Sequence, residues 1–400
     1  MKTVVFIIFC LVAVHSFSQP CLPQGITFTT QSQIDSFHMN YPNCREIIGD
    51  VIIMGGTSIT NLLGLTGLKS VGGELQISSS NVLTNLTGLD SLTSSNALKI
   101  YNNAGLTSLT GLDHLDSVGE FFTISQNPLL TSFTGLEKLS VISGNCVLGG
   151  FVSGMAGLNN LRAVGGFFHI VSLPNLVTLA GLERLKSIGT EFTLSFCPVL
   201  NDMTGLDSLL SITGNLTIMN NGLTSLNGLE SLTTVGWYIG IESNSALSDI
   251  TGIENINAGA IGGGIAFRSN PNLSSCAILS VCDYLAIPGG NVFILDNSPG
   301  CNSPQEVMEA CGILSVREVG MQPDLVIYPT VVTSRITIET RPGNIGSRFQ
   351  ILDMAGRTIL DGQILQTPYS LDISGLQGGI YMIRIGDSGS RAPVKVIIIN

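Results

Sequence analysis

The chain has 400 residues, 17 basic and 28 acidic side chains, a formal net charge of −11 and 47 glycines. Its charged fraction is 11%, against roughly 25% in an average soluble chain. No Lys/Arg cluster is present to neutralise phosphates, which argues against a nucleic-acid partner, and the length allows two or three domains with a large core.

Residues 1–18 read as a signal peptide. Lys2 supplies the positive start, Val4 to Val14 the apolar stretch, and Ser16 and Ser18 the small residues before a cut at Gln19. Eleven apolar residues fall short of the about 20 that cross a bilayer, so the expectation is export, with no transmembrane segment in the mature chain. Removing the leader leaves eight cysteines, of which Cys21, Cys44, Cys276, Cys282, Cys301 and Cys311 crowd the two ends of a central region. In an oxidising compartment these predict disulfides rather than a metal site. The last four allow three pairings, which remain open.

The central region is periodic. Small-Gly-Leu triplets place glycines at 67, 88, 111, 135, 157, 181, 205, 228 and 252, at steps of 21 to 24 residues. A period that regular predicts a solenoid. About 11 and 13 residues after each glycine comes an alternating apolar pair, such as Phe122/Ile124, Phe168/Ile170 and Leu216/Ile218, the pattern of one half-buried strand per coil. Leu65, Leu109, Phe133, Leu179 and Leu226 precede the triplets and are expected to fill the opposite wall.

Three residues past the second apolar position stand Asn103, Asn127, Asn221, Asn244, Asn270 and Asn297. An inward amide there can bond backbone groups of its own coil and the next. FTISQNPLLTSFTGL (122–136) and FTLSFCPVLNDMTGL (192–206) are one coil written twice, with Cys197 in the Asn slot. Cys146 takes the inward strand slot of Phe168, and both thiols read as buried and structural.

The predicted organisation is an N-terminal cap at 19–50, solenoid repeats at 51–275, a Cys-rich cap at 276–315, a linker at 316–324 and a separate module at 325–400. In the caps, TTQSQIDSF predicts a helix start and NCREIIGDVII the first strand. Ser303, Pro304 and Glu306 predict a capping-box helix start. The fold class is mainly β: a right-handed parallel β-helix or leucine-rich-repeat-like solenoid with disulfide-rich caps, plus a small C-terminal antiparallel β-sandwich.

Asn43-Cys44 followed by Ile48-Gly49-Asp50-Val51-Ile52-Ile53, with repeats ending in Gly-x-Leu-x-Ile, resembles the receptor L domain of insulin- and growth-factor-receptor ectodomains over roughly 21–311. The resemblance implies extracellular binding by a sheet face or edge. It carries over no ligand residues, because a shared scaffold is not a shared site.

From Leu325 come short alternating runs separated by Pro342-Gly343, Ala355-Gly356 and Gly378-Gly379, which predict an antiparallel sandwich. Tyr328-Pro329, Asp353-x-x-Gly356-Arg357, Leu376-x-x-Gly379-x-Tyr381 and Lys395 in the terminal strand resemble the C-terminal sorting domain of type IX secretion substrates in Bacteroidetes. Thr330-Val331 replaces the Asn-Pro usual after Tyr-Pro. The resemblance implies recognition by the type IX translocon and a product that is secreted or held at the outer-membrane surface.

No chemistry announces itself. His38, His114 and His169 form no constellation with Ser and acid, no metalloprotease, EF-hand or P-loop string occurs, and no cofactor is expected. The acids after the triplets, Asp90, Asp113, Glu137, Glu183, Asp207 and Glu230, recur with the period and read as solvated turns. The outward strand column runs Gln76, Lys99, Thr123, Val147, His169, Thr193, Thr217, Gly240, with Tyr101, Phe121, Phe167 and Tyr238 beside it. Phe121, Phe167, His169 and Tyr238 are the candidate ligand-binding residues for an extracellular glycan or protein. The functional expectation is a non-catalytic, exported binding or adhesion protein; the alternative is an exported hydrolase or enzyme accessory protein.

Overall fold

The computed structural model describes residues 20–313, 325–329, 331–332, 334–340, 345–353, 356–385 and 394–398. The expected leader at 1–18 and the expected linker at 316–324 lie outside them. The chain divides into two compact units, Met1–Leu314 and Ser315–Asn400.

The first unit is a β-solenoid of about twelve parallel turns. Its main ladder runs from Ile26–Phe28 through Ser117–Ser125, Phe168–Val171 and Leu216–Met219 to Val292–Leu295. A second row of short strands, such as Ser187–Ile188 beside Ser211–Ile212, extends the sheet along each coil. In Phe168–Val171 the apolar alternation has its expected result: Phe168 and Ile170 are buried, and His169 and Val171 are half-exposed. Phe168 registers with Cys146 on one side and Phe192 on the other. Leu65, Leu109, Phe133, Leu179 and Leu226 are fully buried in the same core. Burying each such side chain is worth about 1.5–3 kcal/mol, but one coil has nothing to bury it against, so only the stack is stable.

The recurrent glycine answers two demands at once. Gly181 has φ +115°, and a Cβ there would lie 2.2 Å from the carbonyl oxygen of Met155 in the preceding coil. The acids after the triplet have a duty beyond solvation. Asp207 accepts the Gly205 N–H at 2.8 Å, and Asp90, Asp113, Glu137, Glu183 and Glu230 accept the equivalent glycine N–H in their own coils.

The asparagines form a ladder that reaches backwards. Asn221 Oδ1 accepts the Cys197 N–H at 3.0 Å, and its Nδ2 donates to the Leu194 carbonyl, both in the preceding coil. Asn244 serves Asn221 in the same way, Asn270 serves Asn244 and Asn297 serves Asn270. The expected bond to the following coil is replaced by acceptance of the N–H of each Asn by its successor's amide oxygen, so each coil is completed by the one after it.

The ends are closed by disulfides Cys21–Cys44, Cys276–Cys301 and Cys282–Cys311. The ladder starts earlier than residue 51: Ile26–Phe28 pairs with Val51–Ile53, so the N-terminal cap span already contains a coil. Its helix Gln31–Asp35 opens on a capping box between Thr30 and Gln33. At the other end Ser303 caps helix Pro304–Ala310, but Glu306 does not close the expected box. Its carboxylate accepts from Gly300 and Asn302 instead, tying down the loop before the helix.

The second unit has a three-stranded antiparallel sheet (Leu325–Tyr328, Arg335–Thr340, Tyr369–Asp372) and a five-stranded one (Val331–Val332, Val394–Ile398, Gly379–Ile385, Arg348–Leu352, Thr358–Gln363). One pairing departs from the antiparallel expectation, since Val331–Val332 runs parallel to Val394–Ile398. The two sheets share a core of Ile336, Ile338, Phe349, Ile351, Ile383 and their neighbours.

Candidate functional site

Parallel register places the outward side chains in columns. Phe121 registers with Asn145, Lys99 with Thr123, Val147 with His169, and His169 with Thr193. Of the four residues expected to bind ligand, three come together. Phe121 and Phe167 meet edge to face at 6.1 Å, and Phe167 stacks on His169 at 4.2 Å. Tyr238 is separate: three strands farther on, its ring lies over Gly240, where a Cβ would be 2.7 Å from Cε1. Tyr101 occupies a different column, in register with Ser78 and Ser125.

This strip is already engaged with itself. The Lys99 ammonium lies 5.6 Å from the centre of the Phe121 ring and is paired with Glu74 at 2.7 Å. His169 Nε2 is 3.3 Å from Glu191 Oε1 but makes no aligned hydrogen bond, and that oxygen accepts the Thr193 hydroxyl at 2.6 Å. The contact is an ion pair only when His169 is protonated. Tyr238 donates to Glu242, which also holds Arg268 at 2.7 Å. Burial first, and then the Glu242 charge, raise the Tyr238 pKa, while the bond to Glu242 raises that of Arg268.

The same face opens into a cleft of about 640 Å³ lined by Val147, Phe151, Val171, Pro174, Phe196 and Pro198, by Gly149 and Gly150, and by the polar Ser125, Gln126, Ser172 and Asn220. No charged side chain lines it. The cleft lies where the Asn ladder is interrupted. By spacing, the slots after Asn127 are held by Phe151 and Leu173, then by Cys197. Leu173 turns inward and is buried, whereas Phe151 turns out and is 42% exposed. Gly150 before it has φ +121°.

Phe196 is a second departure. The residue before the Asn slot is left-handed in coil after coil: Ser79, Asn102, Gln126, Ser172, Asn220, Ser243, Ser269 and Asp296 all have φ between 50° and 57°. Small polar residues tolerate that region, and bulky ones rarely adopt it. Phe196 does so at φ +58°, with 55% of its surface exposed. The alignment of FTISQNP with FTLSFCP sets Phe196 opposite Gln126, and that mismatch is the sequence signal for it. Trp237 was also missed; it is 58% exposed and lies against Gly263, where a Cβ would be 2.7 Å from Nε1.

The interior thiols are inert. Burial pushes Cys146 well up and Cys197 up to about 11, so both are protonated at neutral pH. Among the described residues, no group of three or more His, Cys, Asp or Glu is placed to hold a metal ion, and no helix is long and apolar enough to cross a membrane.

In the second unit the sorting residues mostly build structure. Asp353 accepts the Arg357 backbone N–H at 2.9 Å and its guanidinium at 2.7 Å, closing the turn in which Gly356 has φ +77°. Tyr381 donates to the Gln377 carbonyl and packs on the core; Gly379 begins its strand. Tyr328 is exposed and reaches Glu339, with Pro329 after it, while the backbone of Lys395 pairs with Met382.

No curated protein matches the chain. Residues 326–400 match the family described as the secretion system C-terminal sorting domain. The protein is therefore a β-solenoid carrying a type IX sorting tail, and it is secreted or attached to the cell surface.

Proposed function

We propose that this protein is a non-catalytic binding or adhesion protein whose solenoid, delivered outside the cell by its sorting tail, engages an extracellular ligand through the outward face of the sheet between Phe121 and Phe196. The observation that carries the reading is the pair of exposed phenylalanines: Phe151, in a slot whose other occupants point inward and are buried, and Phe196, at a bend where the other coils carry polar residues. Solvent-facing aromatics that break a polar repeat are interaction surface rather than packing. The Phe121–Phe167–His169 stack lies in the adjoining columns of the same face and enlarges it. A receptor-L-like role, with a stacked scaffold presenting a sheet face, is consistent with this arrangement.

The test is an array of glycans and extracellular proteins probed with the secreted protein, run beside a broad hydrolase screen. Stoichiometric binding that weakens at least about tenfold in Phe121→Ala or Phe196→Asn is the expected result. Turnover of a substrate without retained binding overturns the reading in favour of an exported hydrolase.

A further inference from the structure

We propose that the cleft between Phe151 and Phe196 is an anchoring pocket for an uncharged aromatic or branched aliphatic side chain of a protein ligand, an assignment that rests on the binding reading above. Its volume of about 640 Å³ exceeds one side chain and suits an apolar anchor with its flanking residues. The lining excludes charged ligands, since a carboxylate, phosphate or ammonium entering it would lose water and find no counter-charge. It also disfavours a sugar, whose many hydroxyls need convergent donors and acceptors: against the apolar Val147, Phe151, Val171, Pro174, Phe196 and Pro198 the cleft offers the side chains of Ser125, Gln126, Ser172 and Asn220 alone.

Two further observations point to a polypeptide partner. Exposed apolar residues continue past the cleft in the same loops: Leu129 after Gln126, Val177 after Pro174 and Val199 after Pro198. An apolar surface spread over successive coils matches the footprint of a protein, whose energetic centre is a side chain seated in a desolvated pocket. The strands beneath are hydrogen-bonded to both neighbours, Phe168–Val171 to Phe192–Ser195 and to Asn145–Leu148, so they offer no free edge for strand addition. Recognition must then work through side chains, and Phe196 holds an unfavourable backbone conformation to present its ring there.

The experiment uses the full secreted protein and the peptide acetyl-Gly-(5-fluoro-Trp)-Gly-amide, followed by fluorine NMR. Saturable binding on the order of 1 mM is expected for a fragment of this size. Acetyl-Gly-Leu-Gly-amide should displace it; acetyl-Gly-Glu-Gly-amide and methyl glucoside should not. Phe196→Asn and Phe151→Ser should each weaken binding at least about tenfold, with an unchanged far-ultraviolet spectrum, and Leu210→Ser, at an exposed site outside the cleft, should leave it as it was.

Displacement by methyl glucoside, or retained affinity in Phe196→Asn, overturns the proposal. So does decanol competing at least about tenfold more tightly than any peptide, which assigns the cleft to lipid, or a dimer that Phe196→Asn dissolves, which assigns it to a second copy. If the peptides fail while an array ligand is still lost with Phe121→Ala, the pocket assignment falls and the binding reading stands.

Discussion

The coils from Asn221 to Asn297 and those from Cys146 to Cys197 share one backbone plan but solve the same buried turn differently. In the first set an amide in each coil accepts the N–H of the coil before, at 3.0 Å each time. In the second the slots hold Phe151, Leu173 and Cys197, and the residues around them form an apolar cleft. The polar solution places small polar residues at every bend from Asn220 to Asp296, whereas the apolar one puts the exposed rings of Phe151 and Phe196 at or beside the slot. Regularity and a distinct surface exclude each other here, so the place where the ladder stops is the place to look for recognition.

The largest expected effect breaks the polar side of that contrast. Asn221→Ala strips partners from the buried Cys197 N–H and Leu194 carbonyl and should cost about 2–4 kcal/mol. Cys197→Ala, which removes a buried thiol that contacts the Ser195 carbonyl at 3.6 Å and is hydrogen-bonded to the Leu173 backbone, should cost about 1 kcal/mol. Urea unfolding of both variants measures the difference; equal losses would mean that the amide ladder contributes nothing special.

A smaller effect of opposite sign probes the apolar side. Phe196→Asn puts a residue tolerant of φ +58° in place of an exposed ring and should stabilise the protein by about 1 kcal/mol. A fall in melting temperature would remove strain from the account of this position.

The smallest effect at ordinary pH concerns Cys197, whose pKa is raised by burial to about 11. A raised folded value stabilises the fold fully below the unfolded value. That contribution is lost as pH climbs from near 9 through about 11, because ionising the buried thiolate is penalised only in the folded state. The urea midpoint of the parent protein should therefore fall more steeply over that range than that of Cys197→Ala, and parallel curves would contradict it.

Much of the solenoid was legible because its constraints repeat. Gly88, Gly111, Gly135, Gly157, Gly181, Gly205 and Gly228 are required both by φ and by the peptide of the previous coil, Gly67 by φ and Gly252 by the close approach, so the period shows at every copy. The Asn slots could be located from spacing alone, although their backward direction could not, since an amide at a bend can reach either neighbour. The acids after the triplet were read as solvated because periodicity does not reveal that Asp207 accepts the Gly205 N–H.

The candidate site was the least legible part. Phe121, Phe167 and His169 were found from strand alternation, but alternation cannot report that they stack on one another and on Lys99. Phe151 and Phe196 sit at turns, outside the two-residue period, and only comparison of each turn position across coils reveals them as misfits. In the sorting unit, Asp353 and Arg357 were recognised as a motif before their role in closing a turn was visible.

The backward reach of the amides has a consequence for how such a molecule changes length. Asn297, in the last rung, finds the carbonyl oxygen of the Asn302 side chain for its own N–H, so the terminal segment imitates one more coil and halts the series. A duplicated unit spliced in ahead of Asn270 would bring its own amide and leave another N–H to be claimed downstream, restoring the original account at the junction. Growth by tandem duplication is thus chemically neutral within the Asn221–Asn297 tract, and the stapled terminus alone determines where the winding ends.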